Sequence, residues 1–198
     1  MQLSDYLNNA YSYPSYRKLL DDLIIENKTT GPDQSADLME YAKLNLHRMK
    51  RLEKTAVLRN DVTEALLKIK NKYTFLVLTE GWCGDAAQNI PLFWLMEKTC
   101  ANLTLKLILR DENLELMDQY LTNGGRSIPK LICIENTSNN VIFTWGPRPE
   151  TAQIFVLDAK KKGVDKKEMA TELHSWYATD KLQSTQNEFV KLISTFLV

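Results

Sequence analysis

The sequence predicts an α/β domain built on a central mixed four-stranded sheet with helices on both faces. Two apolar runs of strand length, residues 73–78 and 103–109, enclose a helical segment, and such a βαβ arrangement gives parallel strands. Two further runs, residues 130–135 and 141–145, are joined by a polar turn and predict an antiparallel hairpin. The four strands therefore predict one sheet with parallel and antiparallel pairs.

The first fifty residues predict a pair of helices before the sheet. Pro14 suits the first turn of a helix whose apolar residues recur at helical spacing, and the cluster at 29–32 interrupts that pattern. A second helix is predicted from about Asp33, with apolar residues along one face. We expect residues 1–58 to form an N-terminal helical hairpin that packs on the core.

Helical patterns also fill the rest of the chain around the strands. The predicted segments are a short helix capped by Asn60 and helices over residues 85–100, 112–121 and 150–198, the last broken near Gly163 and at 179–181. Residues 59–198 are therefore predicted to form the sheet domain together with a helical C-terminal extension.

Composition and charge exclude several classes of protein. Hydrophobic residues make up 44% of the chain and charged residues 25%, which is an ordinary globular balance. The 25 basic residues equal the 25 acidic ones, so no overall charge favours nucleic acid or an anionic membrane as a partner. The apolar stretches are strand-sized, and the first residues lack the basic and apolar regions of a signal peptide. We expect neither a nucleic-acid nor a membrane partner.

The cysteines and histidines point to a cytoplasmic protein without a bound metal. Cys83, Cys100 and Cys133 form an odd and widely spaced set, unlike the framework of a disulfide-rich secreted domain. A reducing cytoplasm fits this set best. His47 and His174 are the only histidines, and neither stands in a metal-ligand cluster. No glycine-rich phosphate loop precedes a helix, so we expect no cofactor.

The segment 79–86, Thr-Glu-Gly-Trp-Cys-Gly-Asp-Ala, carries the strongest functional signal. It places Cys83 directly after a buried strand and at the start of a helix, where unpaired backbone N–H groups and the helix dipole favour a thiolate. The thiolate is the nucleophile of disulfide exchange. We expect Cys83 to be partly accessible, with a modestly lowered pKa at best because Asp85 opposes the thiolate. The alternative is a buried and inert cysteine.

Four sequence features, in this order, resemble the thioredoxin family over roughly residues 60–145. They are Trp82-Cys83-Gly84 after the first strand, Pro91 in the next helix, Ile128-Pro129 before the third strand and Gly146 at the end of the last strand. The resemblance implies a thioredoxin-like fold with a cis peptide bond before Pro129. It also implies thiol–disulfide chemistry at Cys83.

The chain is also similar to a bacterial group of thioredoxin-like proteins of about this length. That group shares a Trp-Cys-Gly-Asp motif, an Arg-Asp-Glu-Asn segment and a Gly-Pro-Arg-Pro turn, which stand here at 82–85, 110–113 and 146–149. The likeness extends to His-Ser-Trp-Tyr at 174–177. Because the biochemical role of the group is poorly defined, this resemblance implies a fold more than a function.

Two departures from the thioredoxin pattern argue against dithiol chemistry. Ala86 stands where the family has its resolving cysteine, and Val77 where it has the buried carboxylate that accepts the resolving thiol's proton. Cys100 is predicted at the far end of the active-site helix, roughly 25 Å from Cys83 at about 1.5 Å per residue. Cys133 is predicted to be buried within a strand. The sequence therefore predicts a protein with a single reactive thiol, a monothiol protein.

The resemblance implies a substrate-binding segment opposite the thiol. In the family, the backbone before the cis proline binds an extended substrate, which assigns this role to Ser127, Ile128 and Pro129. Arg126 and Arg148 flank the same region. They either attract a carboxylate of a small thiol or are solvated surface side chains.

Three residues next to Cys83 complete the predicted site. Trp82 is predicted to shield the thiol, and Gly84 to lie beside it in the substrate-binding surface. Asp85 stands in the first turn of the helix, where it either complements the helix dipole or acts as a base or orienting acceptor for a thiol.

Two functions remain open from the sequence. In the first, Cys83 forms a mixed disulfide with a low-molecular-weight thiol or a protein disulfide substrate, and a second external thiol resolves it. In the second, the chain is a redox-silent binding module that uses the peptide groove of the fold, with Cys83 residual and the N-terminal hairpin or residues 174–177 contacting a protein partner.

Overall fold

The computed structural model describes residues 3–198, and these contain one mixed four-stranded sheet. The strands are β1 (Tyr73–Thr79), β2 (Leu103–Leu109), β3 (Lys130–Glu135) and β4 (Val141–Trp145). Their order across the sheet is β2-β1-β3-β4, with β1 parallel to β2 and antiparallel to β3, and β3 antiparallel to β4. The predicted fold class is confirmed, including the hairpin of β3 and β4.

Helices flank this sheet and join its strands. In chain order they are α1 (Leu3–Asn9), α2 (Tyr13–Ile25), α3 (Ala36–Thr55), α4 (Asn60–Leu67), α5 (Gly84–Thr99), α6 (Leu114–Met117), α7 (Glu150–Lys161), α8 (Lys166–Asp180) and α9 (Gln183–Phe196). The breaks between the last three helices fall where the sequence predicts them. No helix within residues 3–198 combines the length and the apolar character needed to cross a bilayer.

β1 is the central element that positions the site. All seven of its residues are buried, which explains why its sequence is a nearly continuous apolar run rather than an alternating one. In the antiparallel register with β3, Leu78 lies opposite Lys130 and Phe75 opposite Cys133. The end of β1 and the start of β3 therefore meet at one edge of the sheet. Cys133 is 0% exposed, as predicted.

The N-terminal helices share the hydrophobic core of the sheet. Tyr13 and Tyr16 of α2 are 2% and 1% exposed, and the Tyr13 ring stacks on Trp94 of α5 with the ring centroids 4.5 Å apart. The separation of an extension, residues 1–58, from a domain, residues 59–198, stays a prediction.

Two predicted helix boundaries differ from the structure. The helix predicted over 112–121 is limited to α6, because Gln119 and Tyr120 donate their backbone N–H groups three residues back instead of four and so tighten the last turn. Asn60 is the first helical residue of α4, and Arg59 takes the cap position without a side-chain cap hydrogen bond.

Gly146 follows β4 at a point where a side chain would collide with the backbone before β3. Its φ is +111°, and a Cβ there would lie 2.1 Å from the Pro129 carbonyl oxygen. We expect Gly146→Ala to lower the free energy of unfolding by at least about 2 kcal/mol, since it adds a backbone clash to a disfavoured φ.

Chemical denaturation measures this loss, and Gly124→Ala is the matched control. Gly124 also has a positive φ, +75°, but nothing lies within 4 Å of a Cβ built there. The control is expected to lose distinctly less stability, and equal losses in the two variants would contradict the clash.

Candidate active site

Cys83 occupies the N-cap position of α5, in the turn that follows β1. The Cys83 sulfur accepts a hydrogen bond from the Ala86 N–H at 3.5 Å and donates one to the Ile128 carbonyl oxygen at 3.2 Å. Its backbone N–H donates to the Glu80 carbonyl at 3.1 Å, which closes the turn. The thiol thus lies between the helix N-terminus and the segment before β3, as the strand-to-helix placement predicts.

The expectation that Cys83 is partly accessible is wrong, because the residue is only 8% exposed. It lies on the floor of a cleft of about 480 Å³, which we call the thiol cleft. Side chains from α3, α7 and α8 line this cleft together with the turn after β1 and the loops before β3 and after β4. The tertiary packing of helices that are remote in the sequence therefore decides how much of the thiol is exposed.

The pKa of the Cys83 thiol is raised to about 12, so the expected modest lowering is also wrong. Burial is the largest cause, and the negative charge of Asp85 adds to it. The Ala86 N–H and the positive charge of Arg148 act in the opposite direction but do not offset the burial. The hydrogen bond to the Ile128 carbonyl further favours the protonated form. At neutral pH the group is a thiol.

Asp85 forms a buried ion pair with Arg148. Arg148 Nη2 donates to one carboxylate oxygen at 2.6 Å, and its Nε lies 3.1 Å from both oxygens. The Tyr177 hydroxyl donates to the carboxylate at 2.7 Å. The two charged side chains are 9% and 17% exposed, so the interpretation of Arg148 as a solvated surface arginine is wrong. Both Asp85 oxygens are engaged by these partners, which does not favour Asp85 as the base for the thiol.

A buried polar network that the sequence did not single out supports this ion pair. The Asn89 side chain, 0% exposed, donates to the Asp85 carbonyl at 2.8 Å and to the Tyr177 hydroxyl at 3.2 Å. The Thr185 hydroxyl donates to the Asn89 side-chain oxygen at 2.8 Å. The signal in the sequence was a polar Gln88-Asn89 pair between two alanines and the apolar run 90–96.

His174 of α8 packs directly on Gly84. A Cβ at Gly84 would lie 2.7 Å from Cε1 and 2.8 Å from Nε2 of the imidazole. Burial lowers the pKa of His174 to about 4, and the positive charge of Arg48 acts in the same direction, so the ring is neutral at pH 7. The glycine of the Trp-Cys-Gly-Asp motif therefore allows α8 to approach the turn that carries the thiol.

The segment before β3 forms the opposite wall of the thiol cleft. The Ile128–Pro129 peptide bond is cis, and so is Gly146–Pro147. Ser127 lines the cleft beside Ile128. Arg126 stands at the mouth, where it forms an ion pair with Asp118 at 2.7 Å and keeps 47% of its side chain exposed. Ser127, Ile128 and Arg126 therefore meet at the same cleft as the thiol.

Trp82 lines the cleft together with Arg110, a residue noted in the sequence only as the first of the Arg-Asp-Glu-Asn segment. The guanidinium of Arg110 lies 4.9 Å from the Trp82 ring centroid, which is a cation–π arrangement. Arg110 also pairs with Asp111 at 2.6 Å and donates to the Arg126 carbonyl at 3.2 Å. The Arg110 guanidinium therefore stacks on Trp82 in the lining of the cleft that contains the thiol.

The two positions that depart from the thioredoxin pattern are buried and apolar. Ala86 is 2% exposed and Val77 0%. Cys100 follows the opposite end of α5, and both Cys100 and Cys133 are buried free thiols. Among residues 3–198, no second cysteine therefore stands beside Cys83.

Glu80 is a buried carboxyl group near the thiol that the sequence did not single out. It is 0% exposed, accepts the Asp111 backbone N–H at 2.9 Å, and has a pKa raised by burial. Its hydrogen bond ties the turn after β1 to the loop after β2. In the described part of the chain, no three His, Cys, Asp or Glu side chains are grouped so that they could hold a metal ion.

A cysteine in the strand-to-helix turn, opposed by the segment before a cis proline on a mixed four-stranded sheet, defines a thioredoxin-fold protein with one thiol at the site. A family model described as thioredoxin matches residues 31–162, two thirds of the chain. The chain belongs to the thioredoxin family.

Solved structures share this fold over nearly the whole chain. A protein of unknown function from Pseudomonas aeruginosa has 18% identity and a TM-score of 0.65, with 98% of each chain covered. An HIV epitope-scaffold has 17% identity and a TM-score of 0.63, with 98% of this chain and 99% of the scaffold covered. At this identity the likeness shows the fold alone. No curated protein matches the chain.

Proposed function

We propose that this chain performs thiol–disulfide exchange as a monothiol protein, with Cys83 as the reacting group. The position of the Cys83 sulfur carries this proposal. It lies at the N-terminus of α5, 3.2 Å from the Ile128 carbonyl oxygen, on the floor of the thiol cleft. A disulfide entering the cleft would meet the sulfur next to the backbone of Ser127 and Ile128.

The reaction begins with loss of the thiol proton, because only the thiolate attacks a disulfide. The Ala86 N–H and the α5 dipole then stabilise the negative sulfur. Cys83 attacks one sulfur of the disulfide and releases the other as a thiolate. Since Ala86 supplies no resolving thiol, the mixed disulfide waits for an external thiol.

The substrate of this exchange is either a low-molecular-weight thiol or disulfide or a protein disulfide. Trp82 and Gly84 form the wall beside Cys83, and Ser127 stands opposite them. We place the chain in the bacterial group that shares the Trp-Cys-Gly-Asp motif. The three free cysteines support a reducing, cytoplasmic setting.

A redox-silent binding module is the second candidate function. The burial of Cys83 and its raised pKa favour this candidate, since both lower the reactivity of the thiol. Slow alkylation of Cys83 at neutral pH agrees with either function and does not separate them. Formation and release of a mixed disulfide at Cys83 occurs only in the first.

The test is the consumption of bis(2-hydroxyethyl) disulfide by the native chain in the absence of external thiol. We expect the rate of mixed-disulfide formation to rise about tenfold for each pH unit between pH 7 and 9, because the pKa is about 12 and the thiolate fraction follows the pH. A free cysteine thiol begins to level off near its pKa of about 8.5.

Two variants serve as controls for this measurement. Cys83→Ser is expected to lose the reaction, whereas Cys100→Ser, at the other end of α5, is expected to keep it. Adding an external thiol is expected to restore the free Cys83 thiol. A rate that is the same in Cys83→Ser as in the native chain would refute the exchange function.

A further inference from the structure

We propose, on the basis of the exchange function above, that the thiol cleft takes a low-molecular-weight disulfide carrying an anionic group and excludes disulfides of folded proteins. Three features of the cleft point to this substrate class: its limited access, its cationic lining and its apolar wall.

Access to the thiol is limited on the side of α8. Cys83 is 8% exposed, and the His174 ring rests on Gly84 with no room for a Cβ. The cleft volume of about 480 Å³ lies in the range of small-molecule sites. An extended peptide paired with the Ser127–Ile128 backbone would lie about 4.8 Å from that backbone, in the space between it and α8, which forms the other wall of the cleft. A small disulfide can reach Cys83 without pairing with this backbone.

The charge of the lining selects an anion. Arg110, Arg126, Arg148 and Lys166 line the cleft, and Asp85 is the carboxylate among the lining residues. Asp111 and Asp118 pair with two of the arginines from outside the lining, so Lys166 is the cation of the four that forms no ion pair within residues 3–198. The three arginines are held in place by carboxylates. Because a guanidinium has five N–H donors, each arginine can donate to a ligand as well as to its carboxylate partner. Arg126 gives two hydrogen bonds to its carboxylate partner and stands half-exposed at the mouth. A ligand carboxylate at the mouth would therefore meet the positive charge of Lys166 and the remaining N–H donors of the arginines.

The apolar wall suits the remainder of such a ligand. Tyr41 of α3, Val156 of α7, and Met169 and Leu173 of α8 also line the cleft. Small-molecule sites combine this kind of apolar lining with a few placed polar groups. The fitting substrate therefore has a short apolar body, a disulfide and an anionic end.

The exchange balances without any cofactor. The Cys83 thiolate forms an S–S bond to one sulfur of the small disulfide, and the other half leaves as a thiolate that takes up a proton. A low-molecular-weight thiol then attacks the mixed disulfide, forms a new small disulfide and returns Cys83 as a thiol. One half of the entering disulfide is released as a thiol, and the external thiol takes its place in the new small disulfide. Each cycle therefore consumes one thiol and releases one, and the number of S–S bonds is unchanged.

The experiment compares four disulfides: anionic 3,3′-dithiodipropionate, neutral bis(2-hydroxyethyl) disulfide, cationic cystamine and insulin. Each rate of mixed-disulfide formation at Cys83 is divided by the rate at which the same disulfide reacts with free cysteine, so that differences in the intrinsic reactivity of the four disulfides cancel. We expect the anionic disulfide to exceed the cationic one by about tenfold or more at low salt. Insulin is expected to give no measurable mixed disulfide with the folded chain.

Two charge variants test whether the preference for an anionic disulfide arises at the thiol cleft. Lys166→Gln, at the cleft, is expected to lower the anion-to-cation ratio, whereas Lys72→Gln is expected to leave it unchanged. Lys72 precedes β1 and is exposed at the opposite edge of the sheet, so both variants remove one positive charge but only one removes it from the cleft.

The outcomes separate the substrate class from the exchange function. Reaction with all four disulfides at equal normalised rates, or fastest with insulin, would overturn the inferred substrate class and leave the exchange function standing. No mixed disulfide at Cys83 with any of the four would overturn the exchange function itself, and the substrate class with it.

Discussion

Asp85→Asn is expected to increase the reactivity of the Cys83 thiol about tenfold at pH 8. The Asp85 charge raises the pKa of this thiol, and its removal leaves the positive Arg148 beside the sulfur. A tenfold rate gain corresponds to a pKa decrease of about one unit. The variant is also expected to lose about 3 kcal/mol of stability, because a largely buried guanidinium loses its partner.

Arg148→Gln breaks the same ion pair but is expected to act in the opposite direction. Arg148 lowers the pKa of Cys83, so its removal leaves the Asp85 charge unopposed and slows the reaction of the thiol. Loosening of the structure alone would accelerate the reaction in both variants. The opposite signs therefore identify electrostatic control of the thiol.

The measurement is the alkylation rate of each cysteine, followed by peptide mass spectrometry on both variants and the native chain. Cys133, which is 0% exposed, provides an internal control for unfolding. Faster alkylation of Cys83 in both variants, with Cys133 unlabelled, would contradict control by the Asp85–Arg148 pair.

Ala86→Cys is expected to convert the monothiol site into a dithiol site. The Ala86 backbone nitrogen lies 3.5 Å from the Cys83 sulfur, so a thiol at this position stands within reach of a mixed disulfide on Cys83. Its effective concentration is on the order of millimolar or higher. The mixed disulfide is expected to resolve at least about tenfold faster than with external thiol at about 0.1 mM.

Mass spectrometry of the intact protein follows this resolution, because the internal disulfide lacks the adduct and two hydrogens. Gln88→Cys is the matched control, a buried position on the same helix turned about 200° from Ala86. It is expected to leave the mixed disulfide intact. A persistent mixed disulfide in folded Ala86→Cys would contradict the geometry assigned to the site.

Val77, the second departure from the thioredoxin pattern, predicts a further increase in the rate at which the mixed disulfide is resolved. Val77 is 0% exposed and offers no base for the new thiol at position 86. Adding Val77→Asp to Ala86→Cys is expected to accelerate resolution, at a cost of a few kcal/mol for burying a carboxyl group. If the double variant is folded and resolves more slowly than Ala86→Cys, then a base at this position does not assist the reaction.

The sheet and the place of the thiol were predictable because each depends on local sequence. β1 is a nearly continuous apolar run followed by a glycine-containing turn and a helical pattern, and this order places Cys83 at a helix start. Arg126, Ser127 and Ile128 were predicted from the resemblance to the thioredoxin family, and the antiparallel pairing of β1 and β3 explains why the start of β3 lies at that edge.

The reactivity of the thiol was not predictable, since it depends on contacts between remote parts of the chain. Asp85 meets Arg148 and Tyr177 across 63 and 92 positions of sequence, and no local pattern pairs them. The pKa of Cys83 is a balance of burial against the helix N-terminus, and α8 contributes to that burial only after it packs over Gly84. Local pattern therefore predicted the position of the thiol correctly and the direction of its pKa shift wrongly.

The most direct test of the central claim is mass spectrometry of the native chain after incubation with dithiodipropionate at pH 8. We predict one adduct per chain, located on the peptide that contains Cys83, removed by an external thiol and absent from Cys83→Ser. Cys100 and Cys133 are buried and, unlike Cys83, do not line the thiol cleft, so they are expected to stay unmodified. A folded chain that forms no adduct at Cys83, or forms it only at the other two cysteines, would contradict monothiol exchange at this site.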